Sequence, residues 1–216
     1  MKNKSVLIIC GDPESTFNEI LIKTLKNKIL KKISFPIIMI CSKKLFQNEI
    51  RKFKAKISFK NFENQNNVLK KDLYILDVPL DYQKLTLAKK NAYIKKSFEM
   101  GLNLLKKNGS LALINGPISK TTFLKGKYNG VTEYLASKTK SLNEIMLIFN
   151  KDLSVSPITT HIPINQVAQK IKKKIIVNKI RGISEFYKKF LGFKPNIAVT
   201  GLNPHCETFT GKNIEK

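Results

Sequence analysis

Residues 5–13 read Ser-Val-Leu-Ile-Ile-Cys-Gly-Asp-Pro, an uninterrupted apolar run that stops at Gly11-Asp12-Pro13. A run with no polar alternation is a strand buried on both faces, because a half-wet strand would alternate. Glycine, aspartate and proline in succession cannot extend it, so the strand ends in a polar tip. The period then changes. Phe17, Ile20, Leu21, Thr24, Leu25 and Ile29 recur at helical spacing, and Thr16 with Glu19 fits a capping box at the helix start.

The same unit repeats along the chain. Strands are expected over residues 36–41, 72–77 and 111–115, with helices over 44–53 and 85–107 and a polar loop over 60–71. In the long helix Leu87, Ile94, Phe98, Leu102 and Leu105 mark the apolar face, and Gly109 ends it. Further strands are expected over 144–149, 154–160 and 196–202, with helices over 165–173 and 177–190. Strand, crossover helix and strand in repetition predict an α/β fold, a parallel sheet covered on both faces. The boundary signal falls near Gly126 and Gly130, dividing a first lobe, 1–128, from a partial second lobe, 129–216.

Composition excludes several classes. At 216 residues and 42% hydrophobic, the chain is of ordinary globular make-up. No stretch approaches the roughly 18–20 apolar residues of a membrane span, and the start lacks a signal-peptide pattern, so a cytoplasmic protein with no membrane partner is expected. Cys10, Cys41 and Cys206 are odd in number and in no CxxC spacing, which predicts reduced thiols, the first two as small core residues at strand ends. The net charge of +25 invites a nucleic-acid reading. Yet only Arg51 and Arg181 are arginines, the lysines are scattered, and Lys, Asn and Ile share A/T-rich codons. Nucleic acid is therefore not the expected partner.

Ligands of parallel sheets gather beyond the carboxyl ends of the strands. That rule selects Gly11-Asp12-Pro13, Gly116-Pro117-Ile118-Ser119-Lys120, Thr159-Thr160-His161 and Asn203-Pro204-His205. His161 and His205 are the only two histidines, each at a predicted strand end beside a proline. Each reads either as a metal ligand or as an exposed or internally bonded ring, and two ligands alone do not complete a catalytic zinc site. Lys120 follows a glycine-proline turn and a serine at an expected helix start, a place suited to phosphate or carboxylate. Thr132 either caps the helix that follows Gly130 or offers its hydroxyl to an anion. Nucleotide and hydrolase fingerprints such as GxGxxG, GxxxxGK[ST], GxSxG and HExxH are absent.

Taken in order, the segments GDPES with a following EI, LINGPISK, GVTEYLA, TTHIPI and GLNPHCE resemble the signature segments of the 4-hydroxythreonine-4-phosphate dehydrogenases, the PdxA family of vitamin B6 biosynthesis. The resemblance runs from Val6 to the end of the chain. It implies a three-layer α/β/α fold like that of isocitrate and isopropylmalate dehydrogenases, with the family's C-terminal part missing. It also implies a homodimer, NAD, and a divalent metal such as Zn, Mg, Mn or Co. In that family three histidines hold the metal, and His161 and His205 match the first two. The metal would polarise the substrate's oxygen during oxidation and decarboxylation. Thr132 matches a substrate-binding threonine, and Lys120 the lysine of the glycine-proline turn, carried over as an active-site cation. The cofactor-binding residues are left unassigned.

Two departures stand out. The family usually has a histidine before that threonine, where this chain has Val131, and its first loop is usually glycine-rich, where this chain has Glu14-Ser-Thr-Phe17. The implied reaction is NAD-dependent oxidation and decarboxylation of 4-phosphohydroxy-L-threonine to 3-amino-2-oxopropyl phosphate. The alternatives are a truncated, catalytically inactive homologue, or a member acting on another phosphorylated hydroxy acid.

Overall fold

In the computed structural model, residues 5–26, 32–63, 70–108, 110–141 and 144–202 are described. The chain divides into two compact units, Met1–Tyr128 and Asn129–Lys216.

The first unit is built on a five-stranded parallel sheet. In chain order its strands are β1 (Val6–Ile9), β2 (Ile37–Cys41), β3 (Lys60–Asn61), β4 (Leu73–Asp77) and β5 (Ala112–Asn115). They lie in the order β3-β4-β2-β1-β5. β1 and β2 are buried along their whole length, as an apolar run without alternation requires. In register, Ile8 stands between Met39 of β2 and Ile114 of β5. The short β3 is a correction to the loop expected over 60–71: Lys60 and Asn61 add an exposed edge beside Tyr74 and Ile75. Two polar residues carry no apolar signal for a strand, and Phe62 N–H donating to the Ile75 carbonyl at 2.8 Å continues the pairing.

Strand alternation sends side chains to opposite faces, and a helix covers each. On one face Ile8, Cys10, Met39, Cys41 and Ile75 pack with Ile22 and Leu25 of α1 (Phe17–Lys26) and Phe46 of α2 (Lys43–Lys52). On the other lies α3 (Leu87–Asn108), where Gly101 fits so tightly that a Cβ there would stand 2.7 Å from Ile9 Cδ1 and 3.1 Å from Ile40 Cδ1. The centre of the sheet is thus sandwiched, which bears out the α/β expectation, whereas at edge strand β5 the expected cover is incomplete and Ala112 and Ile114 are exposed. Cys10 and Cys41 are buried free thiols at strand ends, as expected.

The helix faces differ in detail from the sequence reading. In α1 the inward line is Asn18, Ile22 and Leu25, while Ile20 is 54% exposed. Ser15 Oγ accepts from Phe17 N–H at 3.4 Å, and Glu19 pairs with Lys23 one turn on rather than turning back toward Thr16. Leu87 is exposed, and Tyr93, Ile94, Phe98, Leu102 and Leu104 form the buried face of α3. Gly109 lies outside the described residues.

The second unit contains α4 (Val131–Thr139), a 3-10 turn (Ile164–Gln166), α5 (Val167–Lys170), α6 (Lys173–Phe186) and a π turn (Tyr187–Leu191). The strands expected over 144–149, 154–160 and 196–202 are not strands among the described residues. A single antiparallel bridge joins Ile148 and Val155, which exchange N–H to carbonyl bonds of 2.8 and 3.0 Å. The reason is that apolar β-branched runs specify an extended backbone, whereas a strand also needs a neighbouring backbone to pair with. α6 and the π turn bring Phe186, Tyr187, Phe190 and Phe193 into one ring cluster with Phe149. Tyr187 is buried there and donates to Ser154 Oγ at 2.8 Å.

Candidate active site

The loop after β1 leaves the sheet through Gly11, whose φ of +73° is a left-handed value. A Cβ on Gly11 would stand 2.4 Å from the Pro117 carbonyl oxygen, and one on Gly116 would stand 2.2 Å from the Cys10 carbonyl oxygen. These two glycines let the loops after β1 and β5 cross closely. Asp12 N–H donates to the Pro117 carbonyl at 2.9 Å, and Gly116 N–H to the Ile9 carbonyl at 2.7 Å.

Asp12 organises its own loop. Its Oδ1 accepts from Glu14 N–H at 3.0 Å, and its carbonyl accepts from Ser15 N–H and Oγ at 3.0 and 2.7 Å. Lys90, in the first turns of α3, lies 2.7 Å from Glu14 Oε2 and 3.4 Å from Asp12 Oδ2. The hydrogen bond that Lys90 donates to Glu14, with the charge of Asp12, raises the Lys90 pKa against the opposing effect of burial.

Beyond β5 the chain forms a turn, not the expected helix start. Ser119 Oγ accepts from Thr122 N–H at 3.1 Å, and its carbonyl accepts from Phe123 and Leu124 N–H at 3.2 and 3.3 Å. Left-handed Lys125 and Gly126 then stop any propagation, with φ of 50° and 67°. Lys120 is exposed on this turn and has no helix dipole behind it. Asn91 Nδ2 holds the turn by donating to the Thr122 carbonyl at 3.0 Å. Asn91 Oδ1 and Thr122 Oγ1 are buried there without a hydrogen-bond partner among the described residues.

In the second unit Thr132 is exposed in the first turn of α4. Gly130, not Thr132, is the N-cap, and no side chain bonds the cap. Glu133 reaches back, its Oε2 lying 3.1 Å from where a Cβ on Gly130 would stand. His161 is exposed, with a left-handed φ of 55°. Among the described residues no group of three or more His, Cys, Asp or Glu side chains is assembled to hold a metal ion. The described part therefore does not by itself build a metal centre, and His161 offers one donor only. His205 lies outside the described residues.

Lys90 and Asn91 escaped the sequence reading, and Glu14 entered it only as part of a loop poorer in glycine than the family's. A lysine in a chain with 40 basic residues carries no signal, and the apolar period of α3 says nothing about its polar first turns.

An open parallel sheet with polar tips at its strand ends defines the class of ligand-binding α/β proteins. A family model described as pyridoxal phosphate biosynthetic protein PdxA matches residues 32–213, and the chain belongs to that family. The 4-hydroxythreonine-4-phosphate dehydrogenase of Sulfurihydrogenibium sp. (strain YO3AOP1) is 33% identical over 208 residues, 92% of this chain and 63% of that protein. A putative D-threonate 4-phosphate dehydrogenase of Oceanobacillus iheyensis is 30% identical over 218 residues, 95% of this chain and 65% of that protein. The crystal structure of 4-hydroxythreonine-4-phosphate dehydrogenase from Klebsiella pneumoniae shares the fold, with a TM-score of 0.78 at 24% identity over 94% of this chain and 65% of that one. The chain thus spans 63% to 65% of the length of these relatives. Among the described residues no helix is long and apolar enough to cross a membrane.

Proposed function

We propose that this chain serves an NAD-dependent, metal-assisted dehydrogenase of phosphorylated hydroxy-amino acids, acting on 4-phosphohydroxy-L-threonine in the cytoplasm as a homodimer and supplying vitamin B6 biosynthesis. Membership of the PdxA family over residues 32–213 carries the reading. In the reaction the carbinol carbon would be oxidised to a ketone as its hydroxyl gives up a proton, and bound NAD would supply the hydride acceptor. The resulting β-keto acid then loses its carboxylate as CO2, and the enolate left behind takes up a proton at the α-carbon to give 3-amino-2-oxopropyl phosphate.

The chain's own side chains take simple roles. Exposed Lys120 supplies a cation for an anionic group of the substrate, and exposed Thr132 supplies a hydroxyl for a substrate hydrogen bond. His161 and His205 supply imidazole nitrogens to a divalent cation, which when bound contributes Lewis-acid polarisation of the substrate oxygen.

The test uses the complete gene product with 4-phosphohydroxy-L-threonine, NAD and each of Zn, Mg, Mn and Co. NADH formation with release of CO2 is expected. No NADH with any of the four metals would sink the proposal and leave an inactive homologue.

A second reading has its own support. Val131 stands where the family usually has histidine, and the Oceanobacillus relative is named for a different phosphorylated hydroxy acid. Valine cannot donate a hydrogen bond, so a substrate lacking the corresponding acceptor would be favoured. A larger kcat/KM for D-threonate 4-phosphate than for 4-phosphohydroxy-L-threonine would establish this reading over the first.

A further inference from the structure

Two consecutive residues of α3 reach two different loops. Lys90 holds the loop after β1, through Glu14 Oε2 at 2.7 Å and Asp12 Oδ2 at 3.4 Å. Asn91 holds the turn after β5, through its Nδ2 bond of 3.0 Å to the Thr122 carbonyl. The loops also hold each other, because Asp12 N–H donates to the Pro117 carbonyl at 2.9 Å and Gly11 is pressed against that same oxygen. The contacts therefore close a ring: α3 to the first loop, first loop to second, second loop back to α3. Such a ring resists deformation better than its separate bonds, because no one segment can move without breaking contacts to both others.

The Lys90 side of the ring is more than a surface pairing. The Lys90 and Asp12 side chains are each only 16% exposed, whereas Glu14 is 54% exposed. Exposed pairs contribute little, but a largely buried carboxylate stripped of its cation is costly to keep in place. The Asp12 contact is thus the one that fixes the loop, and Glu14 adds a solvated second hold.

We infer that Lys90 and Asn91 are positioning residues, which couple loops 11–17 and 116–123 into one body and so aim the turn that bears Lys120. The functional meaning of that aim rests on Lys120 being an active-site cation; the coupling itself does not.

Hydrogen exchange of the intact protein, read peptide by peptide, tests the coupling in Lys90→Met, Lys90→Arg and Asn91→Ala. Lys90→Met is expected to speed exchange roughly fivefold or more in loop 116–123, where its side chain has no hydrogen bond or ion pair among the described residues, as well as in 11–17. Asn91→Ala is expected to do the same in loop 11–17, where its side chain has no hydrogen bond among the described residues. Lys90→Arg, which keeps a cation for Asp12, should restore protection of both loops. Peptides from β2 must stay protected, which separates loop release from global unfolding. Should Lys90→Met unfold the whole chain, the Asn91→Ala result in loop 11–17 decides alone. Faster exchange confined to the loop each residue contacts, or none at all, overturns the inference. Because exchange needs no turnover, a failed dehydrogenase assay leaves this outcome standing, and a failed coupling leaves the dehydrogenase reading standing.

Discussion

A Cβ on Gly11 would lie 2.4 Å from the Pro117 carbonyl oxygen, closer than any real side-chain carbon approaches an oxygen. The oxygen cannot retreat, since it accepts the Asp12 N–H at 2.9 Å. Gly11 also has a φ of +73°, which adds left-handed strain to any side chain placed there.

Gly11→Ala is therefore expected to destabilise the protein by about 2 kcal/mol or more. Urea unfolding would measure it. A midpoint within error of the parent would mean that the two loops do not cross as closely as described.

Tyr93 is buried in α3, and its hydroxyl oxygen accepts the Ser42 N–H at 3.0 Å. Phenylalanine at 93 would leave that N–H buried without an acceptor, at a cost of about 1–3 kcal/mol. Burial above all, then the neighbouring Cys41 and Cys10 thiols, pushes the phenol far above its usual value. The folded phenol therefore stays protonated while the unfolded one ionises from about pH 10, so this group makes stability fall as pH rises past that point. Alkaline difference absorbance should show a tyrosine component that appears only on unfolding and is missing in Tyr93→Phe.

Asp72 ties the edge of the sheet together, with Oδ2 2.6 Å from Lys60 Nζ of β3 and Oδ1 accepting Leu73 N–H at 2.9 Å. The Lys60 hydrogen bond, chiefly, holds the carboxyl below its usual range. A depressed folded pKa contributes stability that is complete above the unfolded value, near pH 4, and is lost as pH falls through the folded one. Asp72→Asn should therefore cost a little stability at pH 7, under about 1 kcal/mol for so exposed a lysine partner, and cost less still at pH 3. Denaturant midpoints across pH 3–7 would check it, and a difference that grew toward acid would contradict the pairing.

His161 holds a left-handed φ of 55° although it is neither glycine nor asparagine. Under the proposed function its exposed imidazole is a donor to the divalent metal. His161→Gly is expected to stabilise the protein by up to about 1 kcal/mol, whereas His161→Ala keeps the strain and gains nothing. In the complete gene product both should lose Co binding, read by the visible absorption of the bound ion. Full binding in either variant would remove His161 from the metal set.

The strand ends were legible because their signal is local. The apolar run that stops at Gly11 gave β1 and its tip, and the same reasoning placed β2, β4 and β5 to within a residue at each end. Lys120 was singled out by its place after a glycine-proline turn, but the helix expected behind it was not there, because the left-handed backbone at Lys125 is not written in residue type. The runs at 144–149 and 196–202 had the composition of strands without described neighbours to pair with. Lys90 and Asn91 were illegible for the opposite reason: their partners lie 76 and 31 residues away.

The sequence by itself determined that this is a parallel α/β protein of the PdxA family, because strand burial, helical period and motif order are properties of neighbouring residues along the chain. Only the tertiary structure decided that Gly11 and Gly116 serve loop crossing and that one turn of α3 grips two strand-end loops. Those facts depend on distances between segments far apart in the chain, and such distances are fixed by packing across the sheet rather than by any local preference.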